Sequence, residues 1–215
     1  MSSSGGALAR LERYGAMLLE STSRINLTGA RTEDAVAEQI ADAFDLVPLI
    51  GGRLIDVGSG GGLPGIPLAI LTGQPVVLID ATAKKVAFLA RALEALEIRG
   101  EAILGRAESL GHRADLREHF RHATARAVAS APTVAELTLP FLEIGGTALL
   151  QRGTLDDVER NALADAVMML GGTIEDELAV AGARRIVVVR KSAPTPPRFP
   201  RRVGIPAKRP LCLSS

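Results

Sequence analysis

Leu54-Ile55-Asp56-Val57-Gly58-Ser59-Gly60-Gly61-Gly62-Leu63-Pro64-Gly65 is the stretch that decides how the rest of the chain is read. An apolar strand runs without a break into a glycine-rich turn. Pro64 and Pro67 then suit a helix start, where a missing N–H costs nothing. Glycine permits the tight turn and lets a ligand come close to the main chain, while the free amides of the helix start face that ligand. The next apolar run ends in Ile79-Asp80, with Asp80 twenty residues after Gly60. In open α/β sheets an acidic residue at that point accepts hydrogen bonds from ribose hydroxyls.

Outward from this unit, short apolar runs alternate with helical stretches. Strands are predicted over Leu54 to Val57, Val76 to Asp80, Glu101 to Leu104, Thr124 to Val128, Gly146 to Leu150, Thr173 to Val180 and Arg184 to Arg190. Helices are predicted near Pro67 to Thr72, Lys84 to Leu96, Val134 to Phe141 and Leu155 to Leu170. The alternation implies an α/β, Rossmann-like fold with a mostly parallel sheet covered on both faces. The last two strands are joined only through Ala181-Gly182, too short for a crossover, so they should form an antiparallel hairpin. Before the first strand, Leu8, Leu11, Tyr14, Leu18 and Leu19 give one helix an apolar face, and Thr32 can cap a second running to about Leu46. The expected organisation is a helical cap over residues 1–50, a ligand-binding core over 51–191 and a basic, proline-rich tail over 192–215, in one compact domain.

The chain has 215 residues, 47% of them hydrophobic and 23% charged, which excludes disorder, collagen and a disulfide scaffold. The first residues lack the apolar centre of a signal peptide, and charges interrupt every apolar run before it could span a membrane, so a cytoplasmic location is expected. Cys212 is the sole cysteine, and His112, His119 and His122 lie in a charged stretch that reads as solvated surface, so no metal is expected. The net charge of +1 hides an asymmetry: residues 184–215 hold nine Lys or Arg and no acid, leaving 16 basic and 24 acidic residues before them. Six of the twelve prolines fall in the same tail, which favours an extended basic arm over a helix. A polyanion is one partner for it, and neutralisation of its own acidic body is the other reading.

Two cofactor classes share the strand–turn–helix layout. Gly60-Gly61-Gly62-Leu63-Pro64-Gly65 can be forced onto the dinucleotide spacing. Asp56 two residues before Gly58, followed by Gly58-x-Gly60-x-Gly62, is instead the pattern of class I methyltransferases, whose cofactor S-adenosylmethionine has no pyrophosphate to cradle.

The string from Asp56 through Gly65 to Ile66-Pro67-Leu68 has company elsewhere in the chain. With Asn26-Leu27-Thr28, Lys84-Lys85, Gly105-Arg106-Ala107-Glu108, Arg126-Ala127-Val128 and Pro200-Arg201-Arg202-Val203-Gly204-Ile205-Pro206, it resembles the GidB or RsmG family of bacterial small-subunit ribosomal RNA guanine-N7 methyltransferases. The resemblance spans about Asn26 to Leu211 and implies a Rossmann-like methyltransferase with a small N-terminal helical cap. It makes Gly58 and Leu63, with Gly60 and Gly62 between them, the cofactor contacts of the loop. Asp80, Ala81 and Thr82 follow the second strand, with Asp80 holding the ribose; Ala107 and Glu108 frame the adenine, and Arg126 stands at the end of the fourth strand.

No catalytic acid or base is assigned, because guanine N7 attacks with a free in-plane lone pair and loses no proton. Ribosomal RNA or the small subunit is the implied partner of a monomeric enzyme, with Lys84, Lys85, Arg152, Arg201, Arg202, Lys208 and Arg209 as the cations expected to meet it. Aromatic residues make up only 3% of the chain, so recognition would rest on phosphate contacts and shape. The chain departs from the family in the second helix: Glu38-Gln39-Ile40-Ala41-Asp42-Ala43 stands where Arg-His-Ile-x-Asp-Ser is usual, and Arg152-Gly153 replaces Lys-Gly. Three other readings stay open: a small-molecule methyltransferase, a non-catalytic RNA-binding protein on the same fold and, last, a nicotinamide oxidoreductase.

Overall fold

The computed structural model describes residues 4–126, 129–180, 182 and 184–212. The chain divides into two units, Met1–Leu104 and Gly105–Ser215.

The first unit begins with helix α1 (Ser4–Thr22), whose Tyr14 and Leu18 are fully buried. Thr32 caps α2 (Glu33–Ala41) by accepting from the Ala35 amide, with Glu33 and Asp34 in the first turn, where the helix dipole favours anions. This helix stops at Ala41 rather than continuing to Leu46. A 3-10 segment, Phe44–Leu49, contains Pro48, which has no N–H to donate and whose ring would crowd an α-helical turn. Three strands follow in the order β3-β2-β1: β1 (Leu54–Val57), β2 (Val76–Asp80) and β3 (Gly100–Leu104), all parallel, with Leu54 opposite Val76 and Val76 opposite Gly100. Every residue of β1 and β2 is buried, which is why both read as unbroken apolar runs rather than alternations. Helix α3 (Gly65–Thr72) joins β1 to β2, and α4 (Ala83–Ala95) joins β2 to β3. Phe88, Leu89, Ala92 and Leu93 line the buried face of α4, each large side chain contributing about 1.5–3 kcal/mol on burial.

The second unit opens with a one-turn helix, α5 (Ala107–Leu110), which the sequence reading did not anticipate. Strand β4 (Phe120–Arg126) begins four residues earlier than expected; Ala127 and Val128, where the strand was expected to end, lie outside the described residues. Helix α6 (Ala131–Thr138) starts at Ala131 rather than Val134, with Pro132 in its first turn, and a 3-10 turn, Leu139–Phe141, leads into β5 (Leu142–Arg152). Strand β5 also starts early, at Leu142, and its register with β4 shifts between Phe120 and His122, where Gly145 has φ +84°. Helix α7 (Asp157–Met169) is capped by Asp156, which accepts from the Glu159 amide. Strands β6 (Gly172–Ala179) and β7 (Arg185–Lys191) form the expected antiparallel hairpin, closed by the Val180 amide donating to the Arg184 carbonyl at 3.1 Å; Ala181 of its turn lies outside the described residues. The order is β4-β5-β7-β6, with β4 and β5 parallel.

Two expectations are corrected here. Residues 192–212 do not extend as an arm. They fold back along the second unit, burying Thr195, Phe199, Pro200, Pro206 and Leu211, and make a short helix, α8 (Ile205–Lys208), with Pro206 in its first turn where proline is tolerated. His122 is not surface: it is 6% exposed, its Nδ1 hydrogen-bonded to the Thr147 hydroxyl at 2.7 Å. Burial, then the neighbouring Arg121 and Arg190, hold its pKa down at about 4.

The sign follows. An unfolded chain would protonate His122 near pH 6.5 while the folded chain resists until about 4, so stability is lost as pH falls through that window. The contribution is about 3 kcal/mol. Thermal melts between pH 6.5 and 4 should show the wild type losing more stability than His122→Gln, and parallel profiles would remove the assignment.

Candidate active site

In the first unit the loop between β1 and α3 is held by side chains at the carboxyl ends of two strands. The Gly58 and Ser59 amides donate to the Ile79 carbonyl at 2.9 and 3.0 Å, fixing the loop's start to the end of β2. Asp80 accepts from the Gly60 amide at 3.1 Å on one oxygen and from the Thr82 amide at 2.8 Å on the other. Asp56, 1% exposed, accepts from the Gly65 amide at 3.2 Å, and the Tyr14 hydroxyl donates to the Gly61 carbonyl at 2.8 Å from α1.

Two glycines have distinct reasons. Gly58 has φ +73° and open space where a Cβ would stand, so the fold needs its backbone conformation and leaves its face clear. A Cβ on Gly65 would lie 2.6 Å from the Leu78 side chain and 2.9 Å from Asp56, so only glycine lets α3 start this close to the sheet.

Gly58, Ala81 and Thr82 are exposed beside Asp80, which is itself 8% exposed. Both Asp80 oxygens keep acceptor capacity, since an ionised carboxylate has about four lone-pair sites and only two amides are bound. Gly62 and Leu63 are buried, and the Ile66 side chain occupies the space beside Gly62. The structure therefore gathers Gly58, Gly60, Asp80, Ala81 and Thr82 around one mouth and places Gly62 and Leu63 behind it.

In the second unit Ala107 and Glu108 open α5 and Arg126 ends β4. Glu108 is 3% exposed and accepts from Arg106 and from the Gly204 amide, each at 3.0 Å. Burial acts to raise its pKa, but these hydrogen bonds and the Arg106 charge together outweigh it and keep the carboxyl below its ordinary range.

The cations expected to meet RNA separate into two groups. Lys84 and Lys85 lie in the first turn of α4, exposed and half-buried, and Arg202, Lys208 and Arg209 are exposed. Arg152 is turned into the fold: its side chain is 10% exposed, bonded to Glu159 at 2.8 Å and to the Ala129 carbonyl at 3.0 Å. Arg201 is likewise bound, with its main-chain amide and guanidinium both donating to Glu136, whose side chain is fully buried. Sequence reasoning missed the partner; a single acid inside the apolar run Ala131–Phe141 was the available signal. It also missed Tyr14 as the support for Gly61, for which no local pattern exists. Among the described residues no group of three or more His, Cys, Asp or Glu is placed to hold a metal, and no helix is long and apolar enough to cross a membrane.

A parallel α/β unit whose first strand feeds a glycine-rich turn, with a carboxylate at the end of the second strand gripping that turn, defines a class I methyltransferase fold. Solved structures agree on the fold: Methanococcus jannaschii fibrillarin, a pre-rRNA processing protein, aligns with a TM-score of 0.54 at 18% identity over 66% of this chain and 67% of its own. The mitomycin 7-O-methyltransferase MmcR aligns at 0.58 and 13% identity over 74% and 56%. Residues 7–187 match the GidB family, described as rRNA small subunit methyltransferase G, and the chain belongs to that family. Relatives named ribosomal RNA small subunit methyltransferase G include those of Rubrobacter xylanophilus, 40% identical over 95% of this chain and 84% of its own, and Moorella thermoacetica, 35% identical over 95% and 90%.

The two glycines predict opposite outcomes. Gly65→Ala should lower stability by about 1–3 kcal/mol through overpacking, read in denaturant melts. Gly58→Ala should cost only about 1–2 kcal/mol of backbone strain, yet weaken S-adenosylmethionine binding in calorimetry far more than Gly65→Ala does.

Proposed function

We propose that this chain transfers a methyl group from S-adenosylmethionine to N7 of a guanine in small-subunit ribosomal RNA, acting as a cytoplasmic monomer. The observation that carries the reading is the Asp80 carboxylate: it is tied to the loop by the Gly60 and Thr82 amides, retains acceptor sites and stands beside the uncovered face of Gly58. This donor and acceptor set fits a ribose with its attached chain. When bound, S-adenosylmethionine supplies a methyl group on a sulfonium centre.

In this reading Asp80 holds the ribose hydroxyls, Gly58 and Gly60 present main chain without a side chain in the way, and Ala81 and Thr82 complete the wall. Ala107 and Glu108 border the adenine. Arg106 and the Gly204 amide both bond the Glu108 Oε1, which fixes the carboxylate in place at the start of α5. Arg126, at the end of β4, is a further cofactor contact in this assignment. Guanine N7 has no proton to lose, so no residue has to act as a base. The chain's task is to orient the acceptor and exclude water. N7 lies on the major-groove edge, which is closed to side chains in A-form RNA, so the target base has to be unpaired or in a loop.

Labelled methyl transfer from S-adenosylmethionine to unmethylated small subunits, and to RNA extracted from them, tests the reading. Incorporation should map to guanine N7. In Asp80→Ala it should fall with a loss of cofactor affinity of about tenfold or more, since hydrogen bonds to a charged group contribute about 1.5–3 kcal/mol. Cofactor binding without incorporation into either acceptor would overturn it.

A further inference from the structure

Residues 195–209 form a strap laid along the second unit and held at nearly every turn. The Thr195 amide donates to Glu118, and its hydroxyl donates to the Leu170 carbonyl. Arg117 donates to the carbonyls of Thr195 and Phe199, the His112 ring bonds the Pro200 carbonyl, and the Thr133 hydroxyl donates to the Pro206 carbonyl. Two of the anchors are buried carboxylates. Glu136 accepts from the Arg201 amide and guanidinium, and Glu108 accepts from the Gly204 amide where the chain turns at φ +79°. Arg201 adds a bond to the Arg209 carbonyl, closing the strap on itself.

These anchors determine which charges remain for a partner. Arg201 is consumed by Glu136. Arg198, Arg202, Lys208 and Arg209 are exposed, with Arg198 held over the Phe199 ring at 5.0 Å. No acidic residue occurs anywhere in 184–215 to compete with a ligand anion. A recess of about 500 Å³, bounded in part by His112, Arg198, Arg202 and Val203, opens beside them; the acid in its lining, Glu108, is 3% exposed and already accepts from Arg106 and the Gly204 amide.

We propose that this strap is a pre-folded phosphate-binding surface for RNA, in which Arg198, Arg202 and Lys208 contact the backbone and Arg201 is a positioning residue that never touches it. The proposal rests on the methyltransferase reading above for the identity of the polyanion. Pre-folding matters because a segment already ordered before binding does not lose that freedom on binding, unlike the free arm that its proline content suggests. The cations also supply charge without bases being stacked, consistent with Phe199 being buried.

The test compares two variants of the full chain against RNA extracted from unmethylated small subunits. Arg198→Ala/Arg202→Ala/Lys208→Ala should raise the RNA Kd about tenfold or more and flatten the slope of log K against log salt by about 2. Hydrogen exchange at the Arg201 and Gly204 amides should be unaltered in this variant, showing that the strap is still seated. Arg201→Met should instead speed exchange at both amides and weaken RNA binding along with it, and Arg201→Lys should restore part of each. An unchanged Kd and salt slope in the triple variant would overturn the proposal, as would RNA binding lost in Arg201→Met without faster exchange. Binding that depends on the strap in a protein giving no methyl transfer would sink the enzymatic reading alone; methyl transfer with strap-independent binding would sink this one alone.

Discussion

Carboxylates that accept main-chain amides are the interaction on which the site depends. A segment reading Gly58-Ser59-Gly60-Gly61-Gly62 has the largest conformational freedom to lose on folding, and it has almost no side chains with which to repay that loss by packing. Asp56 and Asp80 compensate from outside the segment. Asp80 ends β2 and Asp56 stands one residue before the end of β1; each is nearly out of solvent, and each takes an amide of the loop or of the helix after it. A buried anion is tolerated only when hydrogen-bonded, so the loop and the carboxylates stabilise each other. Tyr14 adds a third fixing point, which makes α1 part of the loop's support rather than an appendage.

The second unit uses the same device for a different length of chain. Glu108 and Glu136 are buried acids that each accept from a segment more than sixty residues away in sequence, Glu108 also pairing with Arg106. Replacing such ion pairs with apolar residues can be neutral for stability, whereas removing one partner typically costs about 3–5 kcal/mol. Their value lies in direction. A carboxylate that binds both an amide and a guanidinium, as Glu136 binds Arg201, sets where the backbone turns as well as where it rests.

The legible parts of the sequence were those with one local cause. The strands β1 and β2, the loop, the Thr32 cap and the terminal hairpin each follow from patterning or turn chemistry within a dozen residues, and Asp80 is where strand spacing put it. What escaped depended on distant partners. The early start of β4 was hidden by Arg121 and His122, since a buried histidine looks polar until Thr147 is placed against it. The strap looked extended because its prolines and charges, taken alone, describe a solvated chain; Arg117, Glu118 and Glu136 are what fold it. Arg152 and Arg201 were read as free cations because a charge count cannot show which cations already have an acid beside them.

The Glu38-Gln39 departure can be placed by the same reasoning. The Thr28 hydroxyl of the Asn26-Leu27-Thr28 segment donates to the Gln39 side-chain oxygen, and Arg31 donates to the Thr28 carbonyl at 2.7 Å. The amide at position 39 therefore joins α2 to the segment before it, a task that needs an acceptor but no charge. Glu38 is exposed on the same helix, so its anion faces solvent and costs the fold little. An anion at that point repels phosphate, whatever cation the family usually carries there. Attraction for a polyanion then has to come from surfaces with cations and no competing acid, and residues 184–215 are the longest acid-free basic stretch in the chain. The anion at Glu38 and the fixing of the strap by Glu108 and Glu136 are the reasons the proposed RNA surface is placed on the strap rather than on α2.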